Sequence, residues 1–99
     1  MLKRILCAAV AAGALFLAGS AAAQEYKIAL IAGKTGFLEA YAKETETGFM
    51  MGLEYLTGGK MEVNGRKIKV IVKDDQNKPD VAKAALAEAF ADDKVDLAV

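Results

Sequence analysis

The spacing of apolar and polar positions changes along the chain, and each spacing predicts a different element. Residues 26–32 form a run of apolar and branched side chains, broken only by Lys27, which is typical of a strand buried on both faces of a sheet. Gly33 and Gly36 follow this run and indicate a loop. The sequence therefore predicts a strand that leads directly into a loop.

A helical pattern occupies residues 40–56. Its apolar and small residues recur at spacings of one, three or four and form one stripe, Tyr41, Ala42, Thr45, Phe49, Gly52, Leu53 and Leu56. The pair Gly58-Gly59 predicts the end of this helix. We expect Gly48 and Gly52 to mark a close approach of the helix to the sheet, because glycine is otherwise unfavourable inside a helix.

The dipeptide Asn64-Gly65 lies between two strand-like runs, residues 61–63 and residues 67–73, and predicts a β-hairpin. A polar segment ends the second run, and Pro79 then begins another helical pattern that continues to residue 91. The apolar positions of this second helix share one face, Val81, Ala85, Leu86, Ala89 and Phe90.

Residues 95–99 are again apolar and predict a third main strand. The order strand, helix, hairpin, helix, strand predicts an α/β fold, in which a parallel sheet with right-handed crossovers has helices on its faces. No turn signal follows the last strand, and parallel strands need neighbours on both sides. We therefore expect the chain to be the front part of a longer protein.

The first 23 residues have the order of a cleavable secretory signal. A positively charged start precedes an uncharged stretch over residues 5–19, and small residues follow. We expect cleavage after Ala23, with Gln24 as the first mature residue, and a periplasmic location. The alternative is an uncleaved membrane anchor, but a span needs about 20 apolar residues and this stretch is shorter.

Composition excludes several kinds of chemistry. Cys7 leaves with the signal and the chain has no His, so residues 24–99 offer no disulfide, no thiol nucleophile and no His- or Cys-based metal site. The 13 Lys and Arg side chains less Lys3 and Arg4 are 11, against 13 Asp and Glu, which gives a net charge of −2. Binding of nucleic acid needs a basic excess and is not expected. Motifs of nucleophile elbows, zinc proteases, P-loops and dinucleotide sites are absent, so we expect no catalytic residues, metal or cofactor.

The loop over residues 33–39 is the best candidate for a binding site. Ligands of open α/β sheets lie outside the carboxyl ends of the strands, and this loop leads into a helix N-terminus that suits a carboxylate. Thr35 adds a hydroxyl and Tyr41 an aromatic face, although the spacing of Tyr41 by itself favours a core or capping residue. Asp74 and Asp75 point in opposite directions, so we interpret them as one solvated carboxylate and one capping or turn carboxylate.

An ordered series of motifs runs through nearly all of residues 27–99. The series is the strand 28–32, Thr35-Gly36, Tyr41, Thr47-Gly48, Gly58-Gly59, residues 63–68, Asp74-Asp75-Gln76, Pro79, an Ala-rich helix and Lys94-Val95-Asp96. In this order the chain resembles the opening of the leucine/isoleucine/valine-type solute-binding proteins of ABC transporters. Phe37 and Lys78 depart from that family, which usually has Pro and Asp there, and so do residues 55–57.

The resemblance implies that residues 24–99 are the first part of lobe one of a two-lobed, periplasmic-binding-protein type I fold. It implies a binding protein rather than an enzyme, with an amino acid, an amide or a small aromatic acid as ligand and an ABC permease as partner. It also implies that Tyr41 reaches the ligand and that Thr35 and Gly36 border the cleft. Phe37 alters that cleft loop.

Three other interpretations stay open on the sequence. The chain could belong to the ligand-sensing domain of a receptor, which a downstream transmembrane helix would favour. It could begin an exported α/β enzyme whose catalytic residues lie beyond Val99. It could also be a truncated product without function, whose open strand edges would make it aggregate.

Overall fold

The computed structural model describes residues 24–99, and the expected signal over residues 1–23 lies outside them. The elements are β1 (Tyr26–Ala32), α1 (Glu39–Leu56), β2 (Glu62–Val63), β3 (Arg66–Asp74), α2 (Pro79–Ala91) and β4 (Leu97–Ala98). Their order confirms the predicted alternation of strands and helices. In this part of the chain, neither helix is apolar enough over a sufficient length to cross a membrane.

The four strands form one sheet in the order β2-β3-β1-β4. β1 is parallel to both neighbours, and its register with β3 runs from Tyr26 opposite Ile68 to Ala32 opposite Asp74. β2 is antiparallel to β3. Asn64 and Gly65 both have positive φ, 52° and 77°, as a two-residue hairpin turn of type I′ requires. The parallel sheet and the hairpin are thus confirmed.

Successive side chains of β1 point to opposite faces of the sheet, and both faces are packed at the centre of the strand. Ala29 is fully buried in a cluster with Ala89 of α2 and Val95, against which Ile71 and Ala98 pack. The next residue, Leu30, points to the opposite face and is 2% exposed, and α1 contributes its buried Ala42. Burial of a leucine side chain contributes about 1.5–3 kcal/mol. β1 is therefore covered at its centre on both faces, as its apolar run after Lys27 predicts.

The buried stripe of α1 differs from the predicted one. Ala42 is buried and Phe49, Met50 and Leu53 are half-buried, whereas Tyr41 and Leu56 are exposed. The prediction was wrong at Met50, which was placed off the stripe, and at four exposed positions that were placed on it, Tyr41, Thr45, Gly52 and Leu56. An 18-residue helix is longer than the contact that one short sheet offers, so the stripe is covered only at Ala42 and, in part, at residues 49, 50 and 53.

The glycines of α1 do not play the role expected inside the helix. A side chain built at Gly48 or at Gly52 meets no atom within 4 Å, so neither residue marks a close approach to the sheet. The terminal pair behaves as predicted. Gly58 and Gly59 have φ of 62° and 80°, and the Gly59 N–H donates to the Glu54 carbonyl at 2.7 Å, which is the Schellman ending of a helix.

Arg66 ties the start of the described chain to the hairpin. Its guanidinium lies 3.6 Å from the centroid of the Tyr26 ring. Its Nε donates to the Gln24 carbonyl at 2.6 Å, and an Nη donates to the Glu25 carbonyl at 3.3 Å. A cation over an aromatic face is attractive, so one side chain of β3 holds the first residue of β1 and the two residues before it.

β4 is shorter than the predicted strand over residues 95–99. Its regular part is two residues, but the pairing with β1 extends on both sides, from Asp96 N–H to the Lys27 carbonyl at 2.8 Å and from Ile31 N–H to the Val99 carbonyl at 2.9 Å. The strand is confirmed, and Val95 before it serves the core instead.

Candidate functional site

The candidate site is built where β1 and β3 end side by side. Ala32 and Asp74 are paired in the register, and the Asp75 N–H donates to the Ala32 carbonyl at 3.0 Å. The loop after β1 and the loop after β3 therefore lie next to each other at the carboxyl edge of the sheet. In α/β sheets of this kind, that edge is where ligands bind.

The Asp74 carboxylate organises the loop after β1. Its Oδ1 accepts hydrogen bonds from the N–H groups of Lys34 at 2.9 Å, Thr35 at 3.3 Å and Gln76 at 2.9 Å. Its Oδ2 accepts from the Thr35 hydroxyl at 2.7 Å. These donors, with the Thr35 hydroxyl the largest contribution and the Gln76 N–H next, hold the pKa of Asp74 below its ordinary value of 3.8.

The loop after β3 is equally constrained. The Asp75 carboxylate accepts from the Asn77 N–H at 2.8 Å, and Gln76 and Asn77 both have positive φ. A β-carbon placed on the buried Gly33 would collide with the Asn77 side-chain amide. A side chain at position 33 would therefore require the Asn77 amide to move, because the two loops touch there.

The interpretation of Asp74 and Asp75 as one solvated and one capping or turn carboxylate was wrong about the solvated one, because both carboxylates form local hydrogen bonds with the main chain. Both side chains accept main-chain N–H groups, and neither converges with the other on one site. The sequence did not reveal that Asp74 also reaches across to Thr35, 39 residues earlier. The one available signal was a carboxylate at the end of the strand expected to neighbour β1.

Gly36 turns the chain from the loop into α1. Its φ is +94°, and its carbonyl accepts from the Glu39 N–H at 3.3 Å. Leu38 occupies the N-cap and offers no side-chain hydrogen bond. The first turn of α1 is therefore shaped by a glycine and by the fixed loop before it rather than by a capping side chain.

The structure brings Thr35 and Gly36 into one loop and places Tyr41 on the first turn of α1. Tyr41 is 68% exposed, so within residues 24–99 it is not a core residue. Its expected role at a ligand stays a prediction. The hollow beside this loop has a volume of about 230 Å³ and is lined by Lys34, Glu39, Lys43 and Glu46. Thr35, Gly36 and Tyr41 lie outside that lining and form an open surface.

Charges near the loop are largely compensated. Lys34 Nζ lies 3.2 Å from the Glu46 carboxylate, and both side chains are partly exposed, so this pair contributes little to stability. Across residues 24–99, no three Asp, Glu, His or Cys side chains are grouped closely enough to hold a metal ion.

Comparison with known proteins agrees with this geometry. The sequence profile described as "Periplasmic binding protein" matches residues 25–99. A crystal structure of an ABC-type branched-chain amino acid transporter from Rhodopseudomonas palustris is 70% identical, with a TM-score of 0.74, over 75% of this chain and 20% of that chain. No curated protein matches the chain.

Two further structures have bound ligands named. A solute binding protein of an ABC transporter from Rhodopseudomonas palustris BisB5, in complex with 3,4-dihydroxybenzoic acid, is 31% identical with a TM-score of 0.66, over 76% of this chain and 20% of that one. The substrate binding protein of a branched-chain amino acid transporter from Streptococcus pneumoniae, in complex with isoleucine, is 20% identical. Its TM-score of 0.67, over 75% of this chain and 21% of that one, concerns the fold alone.

The chain spans about a fifth of the length of the solved structures it matches. The family and its structural neighbours are solute-binding proteins of ABC transporters and not enzymes. The resemblance and the fold class predicted from the sequence are both confirmed. The chain belongs to the periplasmic binding protein family, and its described residues form the first part of a lobe of the type I fold.

Proposed function

We propose that the chain is the N-terminal part of the solute-binding component of an ABC importer, which captures a small carboxylate-bearing solute such as an amino acid. The observation that carries the proposal is the match of residues 25–99 to the periplasmic binding protein family. Since the chain spans a fifth of its solved relatives, the second lobe, the ligand and the permease all belong to the proposal.

The proposed mechanism is closure of two lobes around the solute. Ligand that binds the closed form more tightly shifts the protein towards it, and the closed form is then presented to a permease in the membrane. No bond is made or broken. The loop fixed by Asp74 favours binding of the ligand to lobe one, because a binding edge that is already ordered loses little conformational entropy when the ligand arrives.

Export is part of the same proposal. Periplasmic binding proteins act outside the cytoplasmic membrane, and the order of residues 1–23 is that of a signal cut after Ala23. The intact mass of the protein from the periplasm tests this point. A mass that begins at Gln24 supports it, and a mass that still includes the first 23 residues contradicts it.

Three residues of lobe one are proposed to meet the ligand. Tyr41 offers an exposed ring and a hydroxyl that can donate to a carboxylate. The Thr35 hydroxyl already donates to Asp74, so its oxygen remains to accept from the ligand. Gly36, at φ +94° and without a side chain, leaves room for close approach.

The experiment is calorimetric titration of the purified protein with carboxylate solutes, beginning with isoleucine and 3,4-dihydroxybenzoate, the ligands of two relatives. We expect Tyr41→Ala to weaken binding by about tenfold or more, the usual value of a buried aromatic contact. Tyr55→Ala is the matched control, since Tyr55 is an exposed tyrosine at the other end of α1. Unchanged affinity in Tyr41→Ala with normal unfolding would remove Tyr41 from the site.

A further inference from the structure

Gln24 is held by the rest of the described chain through its carbonyl oxygen. That oxygen accepts from the Nε of Arg66 at 2.6 Å, and an Nη of the same guanidinium donates to the Glu25 carbonyl at 3.3 Å. The guanidinium also lies 3.6 Å from the centroid of the Tyr26 ring. Arg66 therefore holds the main chain of Gln24 without using its α-nitrogen or its side-chain amide.

Cleavage after Ala23 changes the chemistry of Gln24 and keeps this contact. The bond that is cut contains the nitrogen of Gln24, whereas the oxygen that Arg66 holds belongs to the following peptide bond. The cut thus turns an unreactive amide nitrogen into a free α-amine. The residue then carries a nucleophile and, at the carbon of its own side-chain amide, an electrophile that a five-membered ring can join. Because both groups belong to one residue, the reaction needs no other part of the protein.

Positive charge is in excess around this end of the chain. The hollow beside Gln24 is lined by two lysines and two carboxylates, Lys27, Lys94, Glu25 and Asp96. Arg66 adds a third cation at the Gln24 carbonyl. One of the two carboxylates, Asp96, already accepts the Lys27 N–H at 2.9 Å. A charged α-ammonium at Gln24 is therefore disfavoured, and the uncharged amine is the form that attacks.

We propose that Gln24 is a modification site, which closes to pyroglutamate after the signal has been cut off, and that the charge of Arg66 favours this closure. The inference rests on the proposed function, because it requires export and cleavage after Ala23. A bond forms between the α-nitrogen and the side-chain carbon Cδ, and the bond from Cδ to Nε2 breaks. One ammonia leaves and takes up a proton from the amine. The product is a neutral lactam, so an exopeptidase that requires a free α-amine cannot remove residues from the start of β1.

Mass spectrometry and stepwise N-terminal sequencing of the full-length protein from the periplasm test the product. We expect a mass one ammonia lower than that of a chain beginning with Gln24, and no sequencing signal. Gln24→Asn is the matched variant, since its side chain is one methylene shorter and cannot close a five-membered ring. It should keep its ammonia and give a sequence. A protease digest assigns the loss to the first peptide, because Asn64-Gly65 can lose ammonia by closing on its own main chain.

The role of Arg66 is tested on full-length protein that carries a removable leader in place of residues 1–23. A specific protease exposes Gln24, and the loss of ammonia is then followed by mass at neutral pH. Arg66→Gln removes the charge and should slow the loss by about threefold or more. Arg66→Lys keeps the charge and should react at nearly the unaltered rate.

The outcomes separate this inference from the proposed function. A periplasmic protein that begins with Gln24 and keeps its ammonia overturns the modification, although export stands. Equal rates in Arg66→Gln and the unaltered protein overturn the role of the Arg66 charge. A chain that begins at another residue overturns the cleavage site and this inference with it. A protein that binds no carboxylate solute in a broad screen overturns the proposed binding function instead.

Discussion

The Asp74 carboxylate shows how one side chain can order a binding edge. It accepts four hydrogen bonds, three of them from the loop that begins 40 residues earlier in the chain. The residue types at this edge are visible in the sequence, and so is the expected loop. The contact between the Asp74 carboxylate and that loop is not visible in the sequence, because it depends on the register that places Ala32 opposite Asp74.

We predict that the free energy of unfolding depends on Asp74 and on pH together. The pKa of Asp74 is lowered in the folded state, so its carboxylate stabilises the fold above about pH 4, the region of an unfolded Asp, and this stabilisation is lost as the pH falls through the lowered value. Asp74→Asn should be less stable at neutral pH and lose less on acidification. Urea unfolding across the pH range measures both effects.

Asp92→Asn serves as the control for this prediction, since Asp92 is exposed at the end of α2. It removes the same charge from the chain without touching the loop. Parallel pH profiles for Asp74→Asn and the unaltered protein would contradict the assigned role of the carboxylate.

At the scale of elements, local patterns predicted more than long-range contacts did. The hairpin at Asn64-Gly65 and the helix ending at Gly58-Gly59 follow from backbone conformations that these residues adopt in almost any surroundings. The buried face of α1 does not follow from local conformation, because it depends on how much of the sheet lies beneath the helix. Periodicity gives the direction of an apolar stripe, whereas its covered length is set by the tertiary structure.

A glycine inside α1 and a glycine just after it should respond to the same substitution with opposite signs. Gly59→Ala places a β-carbon at φ +80° and should destabilise by about 1–2 kcal/mol. Gly48→Ala lies inside the helix with no atom within 4 Å and should stabilise by about 1 kcal/mol. Chemical unfolding of the two variants checks this pair. Destabilisation by Gly48→Ala would revive the close approach that the sequence suggested.

At the scale of the whole molecule, the starts of the strands lack a cover within residues 24–99. A hollow of about 270 Å³ lies over the strand starts and is lined mainly by apolar side chains, Tyr26, Ile28, Val63, Ile68, Asp96 and Leu97. Apolar surface of this kind normally lies against another element. The sequence predicted an unfinished sheet, but which residues stay uncovered could be read only from the strand order.

Residues 24–99 produced alone should therefore self-associate and bind a hydrophobic dye. Leu97→Lys is expected to reduce both, because Leu97 is 53% exposed on the edge strand β4 and a lysine there opposes edge-to-edge pairing. Size-exclusion chromatography and dye fluorescence provide the measurements. A monomeric fragment without dye binding would mean that the sheet face closes by itself.

The place of β1 in the sheet also determines how long this strand must wait, during synthesis, for its partner strands. β1 is made first, yet it lies between β3 and β4, both of which come later in the chain. Arg66 reaches back 42 residues to Gln24, the same interval that separates Tyr26 from Ile68. A ribosome adds about 5–20 residues per second, so the first strand waits roughly 2–8 seconds without a partner. During that interval β1 cannot yet pair in the sheet. Its apolar segment is therefore open to a chaperone or an export factor, and folding does not compete with that binding.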